Sequence, residues 1–222
     1  MNNIETIYST HFAFAALNYD GTVVSWGCCN AVCMDNLVDI KTITCTDNLF
    51  IALKNNGSVV IWGDFTNVTS YDCYENIYPT LPPDIAPILH IFSNNFTFIL
   101  LCEDNKIYNF DRYTNKYKQI EHLTDVNIIY NTSRAFAALN NDQTVYTWGS
   151  DIGGGDSSEV QKYLTNITHI ISTDHSFAAV KDNNDVVVWG CNHGNTFLND
   201  IYTNIEKIFC TKNTLFLLNE FY

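Results

Sequence analysis

Apolar residues recur along this chain in short alternating runs, and the runs come in a fixed order. Phe14-Ala15-Ala16-Leu17 is followed by a polar turn around Tyr19-Asp20-Gly21, then by Val23-Val24-Ser25-Trp26-Gly27. The same order returns from Phe50 to Trp62-Gly63, from Phe136 to Trp148-Gly149 and from Phe177 to Trp189-Gly190. A third apolar segment precedes each copy, as in Asp39-Ile40-Lys41-Thr42-Ile43-Thr44. Runs this short, rich in β-branched and aromatic residues and bounded by Asn, Asp and Gly, predict strands joined by tight hairpins.

The self-similarity has a period of about forty residues, the range of repeat architectures. Aligned on the leucine of the first copy, the repeat falls at Leu17, Leu53, Leu101, Leu139, Val180 and Leu218, with spacings of 36, 48, 38, 41 and 38 residues. Each unit reads as three short strands. The third unit puts Phe110 in the tryptophan slot and lacks the glycine; the sixth stops at Leu217-Leu218-Asn219, before any third strand. N-terminal Ile4-Glu5-Thr6-Ile7 is a candidate to supply a missing strand there, which would close a ring and hide open sheet edges.

The connectors diverge more than the strands. Residues 64–87 form the longest insertion, with all four prolines (Pro79, Pro82, Pro83, Pro87) and Tyr71, Tyr74 and Tyr78. Asp111 to Asp125 reads as a second, polar connector. In a third, Gly153-Gly154-Gly155 reads as flexible chain, and Ser157 to Leu164 as a short helix capped by Asp156 or Ser157.

Composition narrows the functional classes. The net charge of −13, from 24 acids against 11 Lys and Arg, argues against nucleic acid or an anionic membrane surface, which basic residues would bind. It permits a basic protein partner. The N-terminus has no signal-peptide pattern, no apolar run reaches a membrane span, and eight cysteines without a signal suggest free thiols in a reducing, cytoplasmic setting or inside a virus particle.

The Trp-Gly endings and the Ala-Phe-Ala-Ala-Leu core followed by an Asp/Asn-Gly turn resemble the RCC1 (regulator of chromosome condensation) repeat. His175-Ser176-Phe177-Ala178-Ala179-Val180 looks like that family's His-Ser core, and Trp189-Gly190-Cys191-Asn192-His193-Gly194 like its ending. Gly154 through Leu164 is similar to a short, diverged subtype. The resemblance covers the whole chain. It implies a β-propeller, and functions in which such propellers act as exchange factors for small GTPases, as chromatin readers or as interaction modules. No basic chromatin-binding tail is present, so that activity does not carry over.

Repeat position accounts for most reactive side chains. Trp26, Trp62, Trp148 and Trp189 share one slot and are expected in the core. Cys45 and Cys210 occupy the slot of Ser9, Ser93 and Ser172, as small packed residues. Cys28, Cys29 and Cys33 are half a zinc site with no second pair following, so no metal and no cofactor are expected. His90 and His169 share a slot with Thr6 and Thr42. No nucleophilic triad is apparent, and the glycine run lacks the Lys-Ser/Thr of a phosphate loop.

The expectation is therefore an all-β, single-domain propeller over residues 1–222, of about six short blades with the last closed by both termini; the alternative is an open or incomplete ring completed by another chain as a homo-oligomer. The function expected is a non-enzymatic protein-interaction module. Its candidate partner-binding residues are Tyr71, Tyr74 and Tyr78 in the 64–87 insertion, with Asp111, Asp151, Asp156 and Glu159 on other connectors. Alternatives are a guanine-nucleotide exchange factor for a small GTPase, and a self-assembling component of a viral particle, suggested by the richness in Asn, Ile and Tyr.

Overall fold

A computed structural model describes residues 3–27, 37–64, 81, 85–111, 116–123, 125–192 and 196–219. The described residues form six antiparallel sheets, one per repeat. The first is β1 (Ile4–Ser9), β2 (Ala13–Asn18) and β3 (Val23–Gly27); the second is β4 (Ile40–Cys45), β5 (Leu49–Lys54) and β6 (Val59–Gly63). The third is β7 (Ile88–Ser93), β8 (Phe98–Cys102), β9 (Ile107–Asp111) and β10 (Lys116–Gln119). The fourth is β11 (Val126–Asn131), β12 (Ala135–Asn140) and β13 (Val145–Gly149). The fifth is β14 (Ile167–Ser172), β15 (Ser176–Lys181), β16 (Val186–Asn192) and β17 (Thr196–Tyr202); the sixth is β18 (Ile205–Cys210) and β19 (Leu215–Asn219). Sheets one to three lie in one compact unit, residues 1–122, and sheets four to six in a second, residues 123–222.

Two expectations change here. β1 pairs with β2 in the first sheet, and among the described residues the sixth sheet holds β18 and β19 alone. The last blade is thus not completed by Ile4–Ile7, and the pairing matches the alternative, an incomplete set of blades. Two blades also carry a fourth strand: β10, within the expected polar connector Asp111 to Asp125, and β17. β10 forms because Tyr117 packs against the stacked pair Phe98 and Phe110, whose centroids are 4.7 Å apart.

Each blade is built by the same local chemistry. In the first hairpin, Thr10, Thr46, Asn94, Thr132, Thr173 and Thr211 each accept backbone N–H groups two and three residues on. Short hydroxyl and amide side chains favour such turns because they replace a ladder bond locally. In the second hairpin, Asp20, Asn56, Asp104, Asp142 and Asn183 accept the N–H two residues on. The residue after each, Gly21, Gly57, Asn105, Gln143 and Asn184, has φ between 60 and 80°. In the fourth blade Gln143, one residue beyond Asn140-Asn141-Asp142, carries that strain. A bulge in the first strand of every blade leaves the second residue unpaired, from Glu5 to Glu206.

The Trp-Gly ending has a steric cause. Gly27, Gly63, Gly149 and Gly190 have φ of 108–129°, and a Cβ there would lie 2.4–2.7 Å from the backbone of the neighbouring strand. Only glycine lets the third strand approach so closely. The preceding aromatic stacks on the second strand's phenylalanine in every such blade: Phe14–Trp26, Phe50–Trp62, Phe136–Trp148 and Phe177–Trp189, with centroids 5.2–5.6 Å apart.

Within each unit, blades stack face to face by one rule. Ala13, Ala15 and Leu17 of the first blade pack on Ile40, Ile43, Phe50 and Trp62 of the second. Leu49, Ile51 and Leu53 pack on Ile88, Phe98 and Phe110. Ala135, Ala137 and Leu139 pack on Ile167, Ile170, Phe177 and Trp189. Ala178 and Val180 pack on Ile205, Ile208, Leu215 and Leu217. The leading face of one blade, made of alternate residues of the middle strand, thus covers the trailing face of the next, made of the first strand and the stacked aromatic pair.

Candidate interaction surface

The first-hairpin turns join successive blades through backbone bonds. His11 N–H donates to Asp47 O (2.8 Å), Asp47 N–H to Asn95 O (2.9 Å), Ser133 N–H to Asp174 O (3.0 Å) and Asp174 N–H to Lys212 O (2.7 Å). Side-chain contacts follow the same steps: His11 Nε2 lies 3.5 Å from Asp47 Oδ1, and Lys212 pairs with Asp174 at 3.6 Å. One strand further in, Cys45 Sγ donates to Ser9 O and Ser93 Oγ to Cys45 O. The cysteine slot is therefore a hydrogen-bonding position between blades, and burial raises the Cys45 thiol pKa. Cys45, Cys102, Cys191 and Cys210 are all free thiols. Desolvation, with the Asp104 carboxylate adding to it, pushes Cys102 up to about 11, so this thiol is held in its unreactive protonated form.

The connector between β13 and β14 is the best-defined surface feature that the repeat does not explain. It contains two 3-10 turns, Asp151–Gly153 and Gln161–Tyr163, instead of the single helix expected over 157–164. Nor is the glycine run a loose linker. Gly154 has φ of 87°, a Cβ on it would sit 2.9 Å from the Phe177 ring, and a Cβ on Gly155 would sit 2.5 Å from Gly149 C. Thr132 Oγ1 donates to Gly153 O (2.8 Å) and Trp189 Nε1 to Gly154 O (3.0 Å). Gln161 Nε2 donates to Val145 O, and Val160 and Leu164 are buried between the fourth and fifth blades. The segment is a strap fastened at both ends.

On this strap Asp151, Asp156 and Glu159 are exposed. Asp156 accepts the Ser158 N–H (2.9 Å), which lowers its pKa and keeps it ionised. The Asp151 carboxylate reaches far enough to raise the Cys191 thiol pKa, an effect second to burial. The strap therefore displays negative charge on a fixed backbone. Of the other expected residues, Asp111 ends β9, while Tyr71, Tyr74 and Tyr78 lie outside the described residues, as do Cys28, Cys29 and Cys33. Among the described residues, no three His, Cys, Asp or Glu gather as a metal site would need, and no helix is long and apolar enough to cross a membrane.

The tryptophans do not share one environment. Trp62 and Trp189 are core residues, as expected, and Trp148 is half-buried, but Trp26 is 42% exposed and its partner Phe14 45%. At the other end Phe209, Phe216 and Leu218 are also exposed. Reading the repeat alone misses both patches.

Compared by sequence, the chain matches no protein-family model and no curated protein. Compared by structure, it is similar to Prp20p of Saccharomyces cerevisiae, a protein with binding properties toward Gsp1p and histones: TM-score 0.62 at 17% identity, over 93% of this chain and 67% of that one. Yeast RCC1 (Prp20) bound to Kap60 gives 0.58 at 18% identity, over 84% of this chain and 56% of the other. The fold is an RCC1-like β-propeller. The WD40 ectodomain of the receptor kinase ACR4 of Arabidopsis thaliana, a more distant relation in shape, gives 0.54 at 15% identity, over 86% and 73% of the two chains. The propeller described here spans from about half to two thirds of the yeast chains.

Proposed function

We propose that this RCC1-like propeller is a non-enzymatic protein-interaction module that binds a basic protein partner through its connectors. The strap from Gly149 to Leu164 carries this reading. Its backbone is fixed by Thr132, Val145 and Trp189, while Asp151, Asp156 and Glu159 face solvent. A rigid scaffold that holds divergent loops is where binding concentrates, and the net charge of −13 steers basic partners toward such a surface. The 64–87 insertion, with Tyr71, Tyr74 and Tyr78, is proposed as a second, aromatic binding segment.

The test is capture of binding partners by intact protein, by a D151N/D156N/E159Q variant and by a variant lacking residues 66–83. Partners lost from either variant, and released from the intact protein by salt, support the reading; identical partners on all three sink it. A second reading, nucleotide exchange on a small GTPase, is favoured by the similarity to Prp20p, which binds Gsp1p. Exchange needs only a surface that stabilises the nucleotide-free partner, so it predicts faster release of a fluorescent guanine nucleotide. No acceleration across a broad GTPase panel removes it.

A further inference from the structure

We propose that the exposed face of the first blade and the exposed face of the last blade are the two halves of one interface, through which copies of this chain join head to tail. The inference rests on repeat register. In the second blade the trailing face is Ile40, Ile43, Phe50 and Trp62, each at most 4% exposed beneath the first blade. The same slots in the first blade are Ile4, Ile7, Phe14 and Trp26, and they are 42–54% exposed. Val24, beside them, is also exposed.

The last blade shows the converse. Ile51 and Leu53 in the second blade, and Ala137 and Leu139 in the fourth, form leading faces that are at most 4% exposed. The corresponding Phe216 and Leu218 of the last blade are 56% and 40% exposed, and Phe209 lies with them. One end of the chain thus bares a trailing face and the other a leading face. These two surfaces cover each other at all four described blade interfaces. The occupant that fits each is therefore another blade of this repeat, and a second copy carries both.

The backbone ladder fixes the register of docking. At the four steps within the two units the turn N–H donates to the same turn of the following blade, His11 to Asp47, Asp47 to Asn95, Ser133 to Asp174 and Asp174 to Lys212. In the docked pair the next step is Lys212 N–H of one copy to the His11 carbonyl of the other. Contiguous apolar surface of this kind is rarely left bare on a monomer. The two halves differ, so the contact is heterologous and propagates into a ring or a filament.

Light scattering of the intact chain over a concentration series should give masses at multiples of 25.3 kDa. Salt should raise the mass by screening repulsion between copies of charge −13, the opposite of its effect on capture of a basic partner. Phe14→Glu and Phe216→Glu should each be monomeric alone, while their equimolar mixture forms a two-chain particle. The first variant keeps an intact last face and the second an intact first face. Val24→Glu, at an exposed position on the same face, repeats the Phe14 test independently. An intact protein that stays at 25.3 kDa throughout overturns the proposal, and so does a mixture that stays monomeric.

Discussion

The first and fifth blades carry nearly the same sequence, Phe-Ala-Ala-Leu to Trp-Gly and Phe-Ala-Ala-Val to Trp-Gly, yet their aromatic pairs meet opposite fates. Phe177 and Trp189 are at most 1% exposed, roofed by the fourth blade and by the strap; Phe14 and Trp26 stack in the same way but stand nearly half in solvent. Over their first three strands, backbone pairing, bulge and turn chemistry are alike in the two blades. What differs is the neighbour. In a stacked repeat the blade is a local product of its sequence, while the stability drawn from its apolar face belongs to the interface with the next blade.

The largest consequence falls on the phenylalanines. Phe177→Ala leaves a cavity between two blades and should cost about 3–5 kcal/mol. Phe14→Ala, at a face already wet, should cost about 1 kcal/mol or less. Urea midpoints followed by tryptophan emission at low protein concentration measure both. The two substitutions should also separate by mass, since only Phe14 lies on the surface proposed to receive a second copy. Equal losses of stability would mean that the first blade's face is covered in the monomer.

The next difference concerns the indole nitrogens. Trp189→Phe removes the donor to Gly154 O and leaves a buried carbonyl unpaired, a loss of about 1–3 kcal/mol. Trp26→Phe should stay within about 0.5 kcal/mol. The strap should loosen only in the first variant, seen as faster amide exchange around Gly153–Gly155.

How far this contrast is legible in the sequence follows from the same physics. The hairpins, the Trp-Gly slot and the phenylalanine standing in for tryptophan at position 110 are local features, written in residues three to ten apart. β10 is not legible, because Lys116-Tyr117-Lys118-Gln119 offers a single apolar residue and pairs only when Phe98 and Phe110 are in place. Val160 and Leu164 have helical spacing, yet the bonds from Thr132, Val145 and Trp189, remote in sequence, shape the segment into a strap. Asp151, Asp156 and Glu159 are readable as acids, but not as acids on an anchored backbone. The bare end faces are least legible, since their residues match buried ones slot for slot.

A smaller effect is expected where the turn, not the face, is compared. Thr173 accepts the N–H groups of His175 and Ser176 in a buried turn, so Thr173→Ala should cost about 1–2 kcal/mol. Thr211 makes the equivalent bonds at an exposed turn of the last blade, and Thr211→Ala should change stability by about 0.5 kcal/mol at most. Matching urea midpoints for the two variants would show that the turn bonds, and not their burial, set the cost.

The smallest effect is one of pH. Asp20 and Asp142 accept from the hydroxyl and N–H of Thr22 and Thr144, which lowers both carboxyl pKa values below the ordinary 3.8. A depressed folded pKa contributes stability that is fully present above the unfolded value and is lost as pH falls through the folded one. The contribution should therefore be complete above the ordinary carboxyl value and fade only below it. The second blade supplies the internal control, because Asn56 makes the same two bonds to Ser58 without a charge. Asp142→Asn should keep the turn and flatten this part of the acid limb of the urea midpoint against pH. A steeper acid limb in that variant would mean that the carboxylates are net destabilising in the folded chain, the result expected if repulsion within a chain of charge −13 outweighs the turn bonds.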